Sequence, residues 1–252
     1  MSETIQLTAP DDTQFDVYVA RPGAEDAAIV GGLVLIHEVW GLVPHIRDVA
    51  DRFAEEGWLV AAPDILSKAG VAPHLGEELF ELLNSPDEAV RTAAQPRLRD
   101  ALSEMRAPGY AEWAVQALTA VVDWLEEQPD VDGRIAVTGF CFGGTYAFAL
   151  AASDERIRAA VPFYGTAPSP DRIAQIQAPV LALYGEQDPS LIDALPAVRQ
   201  AMADAGVDFE AIVYPGAQHA FFNDTGSRYS AAHAMEAWAR VLEFLDEKVV
   251  HA

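Results

Sequence analysis

One cysteine occurs in this 252-residue chain, and it stands in Gly139-Phe140-Cys141-Phe142-Gly143. That run fits G-x-S-x-G with cysteine in the serine position, a pattern in which a sharp strand-to-helix turn lifts a nucleophile clear of a sheet. Glycines at 139 and 143 remove the side chains that such a turn would crush. A helix N-terminus and a neighbouring histidine lower a thiol pKa from about 8.5 into the range ~3.5–7.5, so Cys141 is a candidate nucleophile. The competing reading is a small buried hydrophobe, which most free cysteines are; the glycine pattern favours the reactive one. A nucleophile of this kind needs a base and an acid to orient it. His219, in Tyr-Pro-Gly-Ala-Gln-His-Ala-Phe-Phe (214–222), and Asp188, in Tyr-Gly-Glu-Gln-Asp-Pro (184–189), supply them in the chain order nucleophile, acid, histidine. Glu186 is the reserve acid. His37 borders another loop at a strand end, where its plainer role is a bond within that loop. His45, His74, His233 and His251 read as surface or helix residues. No pair has ligand spacing beside a cysteine or carboxylate cluster, so no metal is expected.

Cys141, Asp188 and His219 must be held by something rigid. Short apolar runs alternate with helical patterns, the signature of parallel strands buried on both faces. Strands are predicted at 32–36, 58–62, 134–138, 159–163, 180–184 and 209–214, with 15–20 as an alternating edge strand. Helices are predicted at about 45–57, 110–127, directly after Cys141, and at about 190–205 and 229–247. Each candidate then emerges at the carboxyl end of a strand, where open α/β sheets place their sites. The stretch at about 66–109 interrupts the alternation, with prolines at 73, 86, 96 and 108 between short helical pieces. A long excursion of this kind is commonly a cap over a site. The chain, 1–252, reads as one α/β domain with a mostly parallel central sheet and helices on both faces.

Composition narrows the partners. Basic residues number 16 and acidic residues 39, for a net charge of −23; such a surface repels phosphate backbones, so nucleic-acid binding is not expected. A lone cysteine excludes an internal disulfide framework and a cysteine-based zinc cluster. No apolar run approaches the ~18–20 residues of a membrane span, and MSETIQLTAPDD lacks the marks of a secretory signal. A cytoplasmic protein that engages no membrane is expected.

Taken together, the motifs resemble the dienelactone hydrolase (carboxymethylenebutenolidase-like) family of the α/β-hydrolase fold. The matching pieces are His37-Glu38-Val39-Trp40-Gly41, Ala62-Pro63-Asp64, the elbow around Cys141, Gly185-Glu186-Gln187-Asp188, and Gly216-Ala217-Gln218-His219-Ala220-Phe221. The resemblance implies a cofactor-independent hydrolase of lactones or small activated esters. Cys141 would be the nucleophile, His219 and Asp188 would complete a triad, and Glu38 would be an extra carboxylate contacting the resting thiol. The N–H groups of Val39 and Phe142 would form the oxyanion hole, and Trp40, Phe221, Arg106 and Asn223 are candidates for the substrate pocket.

One departure concerns the substrate. The family's dienelactone-specific members carry an arginine shortly after the catalytic histidine to hold a carboxylate, whereas here the run is His219-Ala220-Phe221-Phe222-Asn223-Asp224, with no arginine before Arg228. Arg97, Arg99 and Arg106 are the candidates within the excursion. Asn223 standing where an arginine is expected implies weak selection for a substrate carboxylate; Asp224 would disfavour an anion near the pocket, and Arg228 would offset it. Other classes stay open at this point: a catalytically silent binding module, or a thiol redox sensor, which would need an external thiol because no second cysteine is present. A cysteine glutaminase pairs its cysteine with a His-x-Glu run, and the sequence after His219 does not supply one.

Overall fold

The computed structural model describes residues 2–23 and 28–251. Among the described residues eight strands form one sheet: β1 (Ser2–Thr8), β2 (Gln14–Ala20), β3 (Gly31–Ile36), β4 (Trp58–Pro63), β5 (Ile135–Phe140), β6 (Ile157–Phe163), β7 (Val180–Gly185) and β8 (Phe209–Tyr214). Their order is β1-β2-β4-β3-β5-β6-β7-β8, with β2 antiparallel to both neighbours and every pair from β4 to β8 parallel.

The period of two explains how the middle strands are buried twice over. In β3, Val34 and Ile36 face one core, and Leu33 and Leu35 face the other. Helices α4 (Tyr110–Glu126) and α5 (Phe142–Ala151) cover the first side through residues such as Trp113, Leu118, Val121 and Phe148, with α7 (Pro189–Ala205) adding Leu195 and Met202. Helices α1 (Pro44–Glu55) and α8 (Ala231–Leu245) cover the second, through Ile46, Val49, Phe53, Val241 and Phe244. A four-residue helix, α6 (Pro170–Ile173), follows β6. No helix among the described residues is long and apolar enough to cross a membrane.

Two expectations change. The stretch 15–20 is not the edge, because β1 pairs along its whole length outside it. That strand, Ser-Glu-Thr-Ile-Gln-Leu-Thr, is exposed or half-buried throughout, so it shows no buried apolar run. The excursion is also more regular than its prolines suggest. It contains α2 (Pro73–Leu83) and α3 (Glu88–Ala101), flanked by short 3-10 turns at Ser67–Ala69 and Glu104–Arg106. Pro73 sits in the first turn of α2, where its missing N–H costs nothing, and α3 continues through Pro96.

Candidate active site

Cys141 follows β5 at the head of α5 with φ 56° and ψ −109°. Only close backbone packing holds a non-glycine residue there, at a cost of order 1–3 kcal/mol. The glycines show how tight that packing is. A Cβ on Gly139 would lie 2.3 Å from the Gly143 carbonyl oxygen, and one on Gly143 would lie 2.1 Å from that of Ile36. Three of the five described non-glycine residues with positive φ are Cys141, Tyr164 and Ala220. These follow β5, follow β6 and adjoin His219, so backbone strain collects at this end of the sheet.

Asp188 follows β7 and His219 follows β8, and His219 Nδ1 is hydrogen-bonded to Asp188 Oδ2. Asp188 is buried, and its other oxygen accepts from Ser190 Oγ at 3.2 Å. Glu186 is not the partner of the histidine; its carboxylate accepts the Gly216 N–H at 2.7 Å and ties down the loop that carries His219. Cys141, His219, Glu38, Val39 and Trp40 all line one cavity of about 220 Å³. Its remaining walls come from the excursion (Phe80 and Leu83 at α2, Gln95 and Leu98 on α3) and from the loop after β8. The excursion therefore supplies part of the pocket wall.

The electrostatics give a resting thiol, not a thiolate. Burial pushes Cys141 up to about 12, the negative charge of Glu38 adds to this, and the Phe142 N–H opposes it. The helix N-terminus expected to activate the sulfur is thus outweighed. Glu38 is 2% exposed, and burial raises its carboxyl to about 7, although Asn223 and Arg228 both favour the charged form. A carboxyl at this value is divided between acid and base near neutral pH, which suits proton exchange with a thiol.

The substrate candidates separate. Trp40 faces the cavity and packs edge-on against Phe80, with ring centroids 5.5 Å apart. Phe221 does not face it: fully buried, it packs on Tyr214 and Tyr164 and supports the loop of His219 from beneath. Arg106 lies exposed on a 3-10 turn, away from the cavity walls. Asn223 lines the cavity, but its amide is engaged: Nδ2 donates to Glu38 Oε2 at 2.6 Å, and Oδ1 accepts from the Thr225 N–H and hydroxyl. It positions the carboxylate. Asp224 points elsewhere, toward His45 and Arg52, so it does not make the pocket acidic. His45 is a helix residue as expected, buried within α1.

Two further residues belong to the site, and of these the sequence marked Arg228 only as an offset to Asp224. Arg228 lines the cavity and makes no ion pair or hydrogen bond among the described residues, which leaves its guanidinium available. Tyr164 is 1% exposed with its ring 4.9 Å from that of His219, and burial holds its phenol well above the ordinary value. Nothing in a one-dimensional pattern separates Tyr164 from an ordinary strand-end tyrosine.

Comparison with known proteins shows the family to which this fold belongs. The model of the dienelactone hydrolase family matches residues 15–249. A protein of Saccharolobus solfataricus named "Putative carboxymethylenebutenolidase" is 30% identical, over 93% of this chain and 95% of its own. One of the same name from Salmonella typhimurium is 33% identical, over 90% and 80%. The crystal structure of a "Putative Dienelactone Hydrolase" from Klebsiella pneumoniae superposes with a TM-score of 0.80 at 28% identity, covering 98% of this chain and 99% of the other. A cysteine elbow, a glutamate after β3 and a histidine after β8 on this sheet order, matched over nearly the whole length, lead to one conclusion: the chain belongs to the dienelactone hydrolase family and is a hydrolase of the α/β-hydrolase fold.

Proposed function

We propose that this hydrolase acts on lactones and small activated carboxylic esters, without a cofactor, through an acyl-thioester on Cys141. The observation that carries the reading is the shared cavity. It brings the thiol, a buried carboxyl near 7 and an Asp-bound histidine to one small space lined by the Val39 loop. In the free enzyme the thiol is neutral and resists oxidation and alkylation. A bound ester places its carbonyl oxygen toward the N–H groups of Val39 and Phe142. Glu38 then takes the thiol proton as sulfur forms its bond to carbon. The tetrahedral adduct collapses with cleavage of the carbon–oxygen bond, and the enol or alcohol leaves with the proton that Glu38 took from the thiol. His219, oriented through Nδ1 by Asp188, next removes a proton from water as it attacks the thioester, and returns that proton to the departing sulfur, which frees the acid product and restores the Cys141 thiol.

Leaving-group chemistry supports esters over peptides. From a tetrahedral adduct a thiolate departs more readily than an unprotonated amine, so a peptide adduct reverts, whereas an enolate or phenolate competes well. A cavity of about 220 Å³ also suits a small substrate. The test is a panel of enol lactones, aryl acetates and unstrained peptides offered to the wild type and to Cys141→Ala. Turnover of the esters by the wild type alone is expected. Efficient peptide cleavage, or ester turnover that survives Cys141→Ala, would overturn the reading.

A further inference from the structure

His37 is the last residue before Glu38 and is fully buried. Its Nε2 accepts the Ile65 N–H at 3.2 Å, so the ring proton resides on Nδ1, which donates to the Glu38 carbonyl oxygen at 2.7 Å. The Gly41 N–H donates to the same oxygen at 3.1 Å. Burial pushes the pKa of His37 down, so the ring stays neutral and keeps this donor–acceptor pattern across the working pH range.

The peptide linking Glu38 to Val39 is trans, as are all described peptides. In a trans peptide the C=O and the following N–H point in opposite directions. Drawing the Glu38 carbonyl toward His37 and Gly41 therefore sends the Val39 N–H the other way. Val39 lines the cavity, and its N–H makes no hydrogen bond among the described residues. The other expected oxyanion donor is Phe142, and its ring lies flat on His37, with centroids 5.7 Å apart and planes 3° from parallel. One imidazole thus contacts the units that carry both donors.

The geometry points to His37 as the positioning residue of the oxyanion hole: its Nδ1–H fixes the Glu38–Val39 peptide so that the Val39 N–H faces the substrate carbonyl, and its face buttresses Phe142. This rests on the ester-hydrolase reading above. His37 touches no reacting atom and adds no charge.

The test uses the full chain with p-nitrophenyl acetate as substrate. His37→Phe keeps a flat ring against Phe142 but removes both ring hydrogen bonds. A lost oxyanion donor costs roughly 10²–10³ in rate, and Gly41 still holds the carbonyl in part. A fall in kcat of about 10- to 100-fold is expected, with KM within about twofold and the loss constant from pH 6 to pH 9. Alkylation of Cys141 by iodoacetamide is displacement at a saturated carbon and forms no oxyanion, so its rate is expected to stay within about twofold. His37→Gln offers an amide donor and acceptor and is expected to recover kcat to within about fivefold. Unchanged kcat in His37→Phe, an equal fall in alkylation, or no recovery with Gln would overturn the inference. Should His37→Phe not fold, His37→Met takes its place, since it also lacks a donor. A wild type that turns over through Cys141 yet ignores these changes sinks only the role of His37. A wild type with no Cys141-dependent turnover sinks the ester-hydrolase reading, and this inference with it.

Discussion

Glu38→Gln separates a gating carboxylate from a structural one, because its two consequences have opposite signs. The side chain is buried, and Asn223 Nδ2 donates to it, a bond that a glutamine oxygen also accepts. Only the charge is removed. Burial raises this carboxyl from its ordinary 4.5 to about 7. A folded-state value above the unfolded one means that the folded protein favours the protonated form. The associated stability is complete below about 4.5 and is lost as pH rises through about 7, so the variant escapes a penalty that grows with pH. Between pH 5 and pH 8.5 the stability difference between variant and wild type should change by about 2–3 kcal/mol in favour of the variant. Urea titrations at the two pH values measure it. The charge of Glu38 also helps to hold the Cys141 thiol at about 12. A thiol released by one pKa unit has about tenfold more thiolate below its pKa, so iodoacetamide should react about tenfold faster at pH 8. Ester turnover should fall by about 10²-fold for want of the base. Stability differences that do not change with pH, or alkylation that is unchanged or slows together with turnover, would refute the reasoning and make Glu38 structural.

Further outcomes follow from the same geometry. His219→Ala should lower aryl ester turnover by at least about 10³-fold, while a stoichiometric burst of phenol persists if acylation outruns water attack; rapid-mixing absorbance measures both. Arg228→Ala should lower kcat/KM about three- to tenfold for a lactone bearing a carboxylate and leave its neutral counterpart within about twofold, as an exposed cation allows; competition kinetics with the matched pair checks this. Gly76→Ala puts a Cβ 1.7 Å from the Trp40 carbonyl oxygen, so α2 must shift from the cavity wall. A fall in Tm and a KM raised at least about threefold are expected, measurable by thermal unfolding and steady-state kinetics.

The chain by itself showed the succession of buried strands along the sequence, the elbow, and a candidate histidine with two candidate acids, because each is a local pattern. Short apolar runs alternating with helical patterns have few ways to be buried except in a doubly covered sheet, and a cysteine between glycines at a strand-to-helix junction has few reasons to exist except a sharp turn. It was silent on β1, since an edge strand with both faces partly wet has no apolar period to read. Only the tertiary structure decided which acid meets His219, because Asp188 and Glu186 are two residues apart and differ in which way their side chains leave the loop. It also decided that the thiol rests protonated. Helix direction is legible in a sequence, but the burial that outweighs it depends on what α2 and the loop after β8 place over the sulfur. The exchange of roles between Asn223 and Arg228 has the same origin. Five residues apart in a loop, one turns inward to Glu38 and the other presents a free guanidinium to the cavity, and that choice is made by packing across 185 residues of sequence separation, beyond the reach of any local spacing.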